Sequence, residues 1–277
     1  MAPRVAKREA RVTEHEARVT EHEEARAMSG HSKRATTKHR KAAVDKARAK
    51  VFAKLIRQLE VAAREGGGDV NANATLRTMF EKARAASVPM DTIERAIKRG
   101  TGELEGVHYE EVAYEGYAPG GVAIIVECLT DNRNRTGAEI RNVFNRNGGS
   151  MAEPGAVGWQ FTRKGVIDLP RTLDEDAVVE VAVEAGAEDV SDDGDRWVVT
   201  SAPGDLAAVR DALGAAGMAG ESAELAMVPT TTVPVTEEGE VRRVLRLLEA
   251  LDDLDDVQNV WSNFDTPDEV LAAAAAD

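Results

Sequence analysis

Gly165-Val166-Ile167-Asp168-Leu169, an apolar run with strand character, passes into Asp174-Glu175-Asp176-Ala177-Val178-Val179-Glu180-Val181-Ala182-Val183-Glu184-Ala185, which reads as a helix. Short strands at Asp189 to Val190 and Trp197 to Thr200 then flank the turn Asp192-Asp193-Gly194-Asp195. A helix from Gly204 to Ala216 and a strand from Ser222 to Val228 complete a β-α-β-β-α-β unit over residues 165–228. The flanking pieces 121–162 and 230–263 give the same order once that block is removed, with one strand before them. Strands are expected at Tyr109 to Tyr114, Gly121 to Leu129 and Val157 to Thr162, with a helix at Thr136 to Asn147 that Gly148-Gly149 ends. Thr230 to Val235 (strand), Glu240 to Leu251 (helix) and Val257 to Asn263 (strand) follow. One ferredoxin-like unit is thus expected inside another; a single continuous sheet accounts less well for two halves that each complete the split βαβ pattern.

Upstream, the pattern is helical. Val44, Phe52, Leu55, Ile56, Leu59 and Ala62 or Ala63 follow helical spacing from Ala42 to Glu65, with Lys and Arg on the other face and a stop at Gly66-Gly67-Gly68. Further helices are expected from about Asn73 to Ala86 and from Asp91 to Arg99, the latter capped by Asp91 and ended by Gly100. The fold class is α+β. The expected domains are a charged tail at 1–27, a basic helical domain at 28–105, a discontinuous α/β domain at 106–164 and 229–266, an inserted α/β domain at 165–228, and a C-terminal tail at 267–277. In the first tail Ala10-Arg11-Val12-Thr13-Glu14-His15-Glu16 recurs unchanged as residues 17–23, with too few branched apolar residues to bury or to sustain a coiled coil.

Charge is unevenly placed. Residues 28–60 hold ten Lys or Arg against Asp45 and Glu60, while the whole chain carries a formal net charge of -14. Residues 171–277 hold 26 Asp or Glu against six Arg and no Lys. A basic segment on an acidic protein points to a polyanionic partner gripped at one end and repelled at the other. A solvated helix face is the plainer reading of any charge run, but Gly30-His31-Ser32-Lys33 and Thr36-Thr37 add hydroxyl and backbone donors suited to phosphate.

Several classes are disfavoured. Aromatic residues make up only 4% of the chain, too few in the basic segment for a single-strand reader built on stacked rings. The one cysteine, Cys128, lies in an apolar run and reads as a small buried hydrophobe, so no disulfide framework and no Cys-based zinc site can form. There is no Gly-x-Ser-x-Gly elbow and no His-Glu-x-x-His pair, and His15 and His22 are explained by the repeat. A non-enzymatic protein without cofactor or metal is expected. No apolar run approaches the roughly 20 residues of a membrane span, and a cytoplasmic location is expected.

Five ordered motifs carry a resemblance. They are Gly30-His31-Ser32-Lys33 through Lys38-His39-Arg40-Lys41-Ala42, Gly66-Gly67-Gly68-Asp69, Pro89-Met90-Asp91-Thr92-Ile93-Glu94-Arg95-Ala96-Ile97-Lys98-Arg99-Gly100, Tyr114-Glu115-Gly116-Tyr117-Ala118-Pro119-Gly120-Gly121 and Thr130-Asp131-Asn132-Arg133-Asn134-Arg135-Thr136. Together they resemble the YebC/PmpR family from Met28 to about Phe264. The resemblance implies an N-terminal helical domain and two α/β domains, the third inserted in the second. It also implies regulation of gene expression, either as a transcriptional regulator on promoter DNA or as a translation factor that assists the ribosome through proline-rich stretches. Where the family usually has Trp after Gly-His-Ser-Lys, this chain has Arg34, which replaces a ring with a cation.

The candidate phosphate contacts are Lys33, Arg34, Lys38, His39, Arg40, Lys41, Lys46, Arg48, Lys50, Lys54 and Arg57. Such contacts give affinity without sequence choice, and no helix-turn-helix with a polar recognition face is evident. Arg133 and Arg135 form a second candidate site, weighed equally against a structural role in which Asp131, Asn132, Asn134 or Thr136 caps the helix and Arg135 pairs with an acid. Tyr114 to Gly121 reads as a tight turn, since it lacks the Lys-Ser/Thr ending of a phosphate loop. The expected partner is nucleic acid, DNA or ribosomal RNA, with a protein partner for the acidic domains and no membrane. Lys and Arg serve both nucleic acids, so the sequence leaves that choice open.

Overall fold

The computed structural model describes residues 44–275. The repeat tail and the motif from Gly30 to Ala42 lie outside the described residues. The protein is α+β, with a helical N-terminal part and two four-stranded antiparallel sheets. The described residues form two compact units, one of 44–159 with 243–262 and one of 160–242 with 263–275. The chain leaves the first unit and returns to it, so residues 160–242 are an insertion, and residues 263–275 join the second unit after the return.

In the first unit, α1 (Val44–Gly66), α2 (Ala74–Ala85) and α3 (Met90–Gly100) enclose a core of Leu55, Leu59, Ala62, Leu76, Ala83, Val88, Ile93 and Ala96. The helical spacing read from Ala42 to Glu65 puts these apolar residues on one stripe, and burying it is what holds a helix of this composition. Asn73 caps α2 by accepting from Leu76 N, and its side-chain amide donates to Ala62 O at 2.8 Å, tying the α1–α2 turn. Gly100 has no room for a side chain: an added Cβ would lie 2.4 Å from the Glu60 carbonyl oxygen, so α1 and α3 meet backbone to backbone there. Asp91 does not cap α3 as expected. The helix begins one residue earlier after Pro89, whose fixed φ suits the entry, and Asp91 in the first turn pairs with Arg95 instead.

The first sheet runs β3-β1-β2-β9, with β1 (Glu110–Tyr117), β2 (Ala123–Thr130), β3 (Ser150–Ala152) and β9 (Val257–Ser262). Helix α4 (Arg133–Arg146) connects β2 to β3 and places Ile140 and Phe144 in the core. The expected strand at Thr230 to Val235 does not enter this sheet. The inner place it would occupy, beside β2, is taken by β1, and only β8 (Val233–Pro234) forms there, pairing in parallel with β10 (Phe264–Asp265) in the second unit. The expected strand at Val157 to Thr162 is also corrected. Gly158 to Gln160 make a 3-10 turn, and Phe161 starts β4 (Phe161–Pro170), one strand that absorbs the separate run expected at Gly165 to Leu169.

The second sheet runs β5-β6-β4-β7 with β5 (Ala187–Asp192), β6 (Arg196–Ser201) and β7 (Ser222–Pro229), the ferredoxin-like order read from the sequence. Helices α5 (Glu175–Glu184) and α6 (Leu206–Ala215) bury Val178, Ala182, Val209 and Leu213 against Ile167, Leu169, Trp197 and Val199. Helix α7 (Glu238–Asp252) leads to β9, and α8 (Asp268–Ala275) follows β10, where the sequence suggested only a tail.

Candidate nucleic-acid interface

The Thr130 to Thr136 motif folds as a helix start. Asn132 is extended (φ -149, ψ 91), and its side-chain oxygen accepts from Arg135 N at 3.1 Å, so α4 begins at Arg133, three residues before the sequence suggested. Asp256, at the entry to β9, closes this start from below. The hydroxyls of Thr136 (2.7 Å) and Thr130 (3.1 Å) and the guanidinium of Arg135 (2.7 Å) all donate to Asp256 Oδ2. Arg135 also bridges Asp131 at 2.7 Å. Burial pushes the Asp256 carboxyl up, but bonds from Arg135, Thr136 and Thr130 outweigh it and leave the group below the usual carboxylate range. Bonding to Asp256 and Asp131 likewise raises Arg135. Both halves of the structural alternative, the cap and the paired Arg135, are present.

The basic face of α1 is also engaged. Arg57 Nη1 lies 3.1 Å from Asp256 Oδ1 and donates to the Asp255 carbonyl, while its guanidinium sits 5.4 Å from the Tyr109 ring centre. Lys54 donates to Asp252 Oδ1 at 2.9 Å, and Lys50 to the Asp253 carbonyl at 2.8 Å and carboxylate at 3.2 Å. The carbonyls at the end of α7 carry the negative end of its dipole, which suits these ammonium groups. Lys46 and Arg48 lie on α1. Lys33, Arg34, Lys38, His39, Arg40 and Lys41 lie outside the described residues. The structure therefore brings Lys50, Lys54, Arg57 and Arg135 together around one acidic turn, Asp252 to Asp256. Arg133 stands apart: its side chain is 63% exposed and, among the described residues, pairs with Glu110 at 3.7 Å.

Two features escaped the sequence reading. Asp256 sat in an acid-rich run and looked like surface charge; its position just before the apolar strand Val257 to Trp261 was the available signal. The other is the loop after β3. Glu115, on β1, accepts from the backbone N–H groups of Gly155 (2.8 Å), Val157 (2.6 Å) and Gly158 (2.9 Å). Burial pushes its carboxyl up and these three donors more than offset it, holding it low. The pinned loop presents Trp159, 72% exposed, with its indole N–H held by the Ala156 carbonyl at 3.0 Å. Cys128 is buried, and burial, with Asp256 and Glu127 adding to it, pushes its thiol up to about 12, so it is an inert core residue. No helix among the described residues is long and apolar enough to cross a membrane.

A helical bundle, a four-stranded antiparallel sheet with its helices and an inserted ferredoxin-like sheet, with cations gathered on one helix, define a class of three-part α+β protein. The family description "TACO1/YebC second and third domain" matches residues 109–264, and "TACO1/YebC protein N-terminal domain" matches residues 32–103. The chain belongs to the TACO1/YebC family. It is similar to a "Probable transcriptional regulatory protein" of Beutenbergia cavernae, 55% identical over 248 residues that cover 88% of this chain and 98% of the relative. A protein of the same name from Acidothermus cellulolyticus is 57% identical over 192 residues, 69% of this chain and 77% of the relative. The crystal structure of a conserved hypothetical protein from Aquifex aeolicus superposes with a TM-score of 0.76 at 46% identity, covering 83% of this chain and 95% of that one.

Proposed function

We propose that the protein is a non-enzymatic regulator of gene expression that binds duplex DNA through its basic N-terminal domain in the cytoplasm. The observation that carries this reading is the concentration of ten Lys or Arg against two acids in residues 28–60 of a chain of net charge -14. The names of its relatives support it at the level of regulation. Residues 28–105 act as the binding domain. The α/β domains, 106–164 with 229–266 and the inserted 165–228, orient it by repulsion and offer an acidic face to a protein partner. Lys33, Arg34, Lys38, His39, Arg40, Lys41, Lys46, Arg48 and Arg133 make the first contacts. Lys50, Lys54, Arg57 and Arg135 join only by exchanging a carboxylate for a phosphate. A fluorescence anisotropy titration of labelled duplex DNA with the full chain and with K38E/R40E/K41E tests it: the variant loses salt-sensitive binding, and retained affinity would overturn the role of these residues.

A second reading, binding to ribosomal RNA as a translation factor, is favoured by Trp159. An exposed ring on a pinned loop suits stacking on an unpaired base, which folded RNA offers and duplex DNA does not.

A further inference from the structure

We infer that the outward faces of α4 and α7 form a second phosphate-binding surface for duplex DNA, carried by Arg141, Arg146, Arg243 and Arg246; this rests on the nucleic-acid reading above and adds a surface to it. In α4, Thr136, Ile140 and Phe144 are buried, which turns Arg141, Asn142, Asn145 and Arg146 to solvent. In α7, Val241, Val244, Leu247, Leu248 and Leu251 are buried, which turns Arg243 and Arg246 outward. The apolar faces of the two helices approach each other beside Gly149. A Cβ built on Gly149 would lie 2.9 Å from Leu247 Cδ2 and 3.0 Å from Phe144 Cδ1, so these two core side chains meet at that point.

What sets these four arginines apart is that none has a hydrogen bond or ion pair among the described residues. Arg57, Arg99 and Arg135 in the same unit are all committed to carboxylates. Glu139 on α4 and Glu240 and Glu249 on α7 are the acids beside them, and Glu249 is itself engaged. Four arginines without a partner among the described residues, in a chain with 49 acidic residues, concentrate positive field there. Asn142 and Asn145 add amide donors of the kind that contact phosphate and sugar.

Charge density selects the duplex. Arg243 and Arg246, three residues apart, lie side by side on α7, whereas Arg141 and Arg146, five apart, stand about 140° from each other around α4 and flank its buried stripe, so the cations are spread over the surface. Along a helix the rise of about 1.5 Å per residue puts Arg141 and Arg146 about 7.5 Å apart and Arg243 and Arg246 about 4.5 Å apart. Cations so spread meet most phosphates on a duplex, which carries one negative charge per about 1.7 Å of its axis, twice the density of a single strand.

The test compares the full chain with R141E/R146E/R243E/R246E and with the milder four-fold Gln variant, after circular dichroism shows both folded. The probes are a labelled duplex DNA of arbitrary sequence and a single-stranded RNA of the same sequence, titrated over a salt series. Each lost phosphate contact lowers the slope of log affinity against log salt by about 0.9, so the expected fall is about 3 to 4, with weaker duplex binding by both variants. Unchanged duplex slope in both variants, while K38E/R40E/K41E loses binding, would overturn this surface and leave the N-terminal reading standing. Loss confined to the RNA probe would overturn the duplex assignment. A wild-type chain that binds no duplex at any salt would overturn both.

Discussion

Arg57 and Asp256, 199 positions apart in the chain, meet at 3.1 Å on a carboxylate whose side chain is only 5% exposed. The other oxygen of the same carboxylate holds Arg135, Thr130 and Thr136. One aspartate thus joins the helical domain, the start of α4 and the entry to β9. Removing one partner of a buried pair leaves the other charge uncompensated, which costs about 3–5 kcal/mol. Asp256→Ala is expected to lose stability in that range by urea denaturation, and Asp256→Asn less, because the amide oxygen still accepts from the threonines. A loss below about 1 kcal/mol for the alanine variant would show that the hub carries little.

Acid sensitivity follows from the same group. Asp256 and Glu115 both lie below the usual carboxylate range when folded, of about 3.9 for Asp and 4.3 for Glu. A depressed carboxyl contributes stability that is fully present above its unfolded value and is lost as the pH falls through its folded one. Stability is expected to be level in this respect above about pH 5 and to decline below about pH 4. In Asp256→Asn the acid limb should be shallower. An equally steep limb would assign it to other groups.

Glu115→Gln is expected to loosen the loop that carries Trp159: the three backbone N–H groups use both carboxylate oxygens, and the amide keeps one accepting oxygen while its NH2 cannot accept. Hydrogen exchange at the Val157 and Gly158 amides should speed up by about tenfold, the equivalent of about 1.4 kcal/mol, with global stability changed less. Unchanged protection would mean that the loop holds itself.

Gly100→Ala puts a methyl group against the Glu60 carbonyl, where backbone cannot give way cheaply. Overpacking of this kind costs about 1–3 kcal/mol, read as a lowered urea midpoint at unchanged slope. The same change at Gly102, whose φ is +82 but which has open space around it, tests strain alone.

The periodicity of local runs was legible. Apolar stripes located α1, α5, α6 and α7 to within two or three residues, because burial of one face dictates them. What was not legible depended on partners distant in sequence. Residues 230–235 have strand character, yet the place beside β2 went to β1, which adjoins β2 in sequence and pairs with it from Glu110 to Tyr117. Lys50, Lys54 and Arg57 read as free cations because Asp252, Asp253 and Asp256 lie about 200 residues further on. Charge counts cannot tell a paired lysine from a free one. The cap at Asn132 and the pairing of Arg135 were within reach, since both act over three or four residues.

The central claim is that this chain works on DNA. Cell lysate is separated on sucrose gradients at low and moderate salt, the protein is followed through the ribosomal fractions, and chromosomal DNA is recovered in parallel. The account predicts absence from ribosomes at either salt, with salt-sensitive recovery on DNA that K38E/R40E/K41E abolishes. Comigration with ribosomes at low salt, lost in that variant, would contradict it and establish the RNA reading in its place.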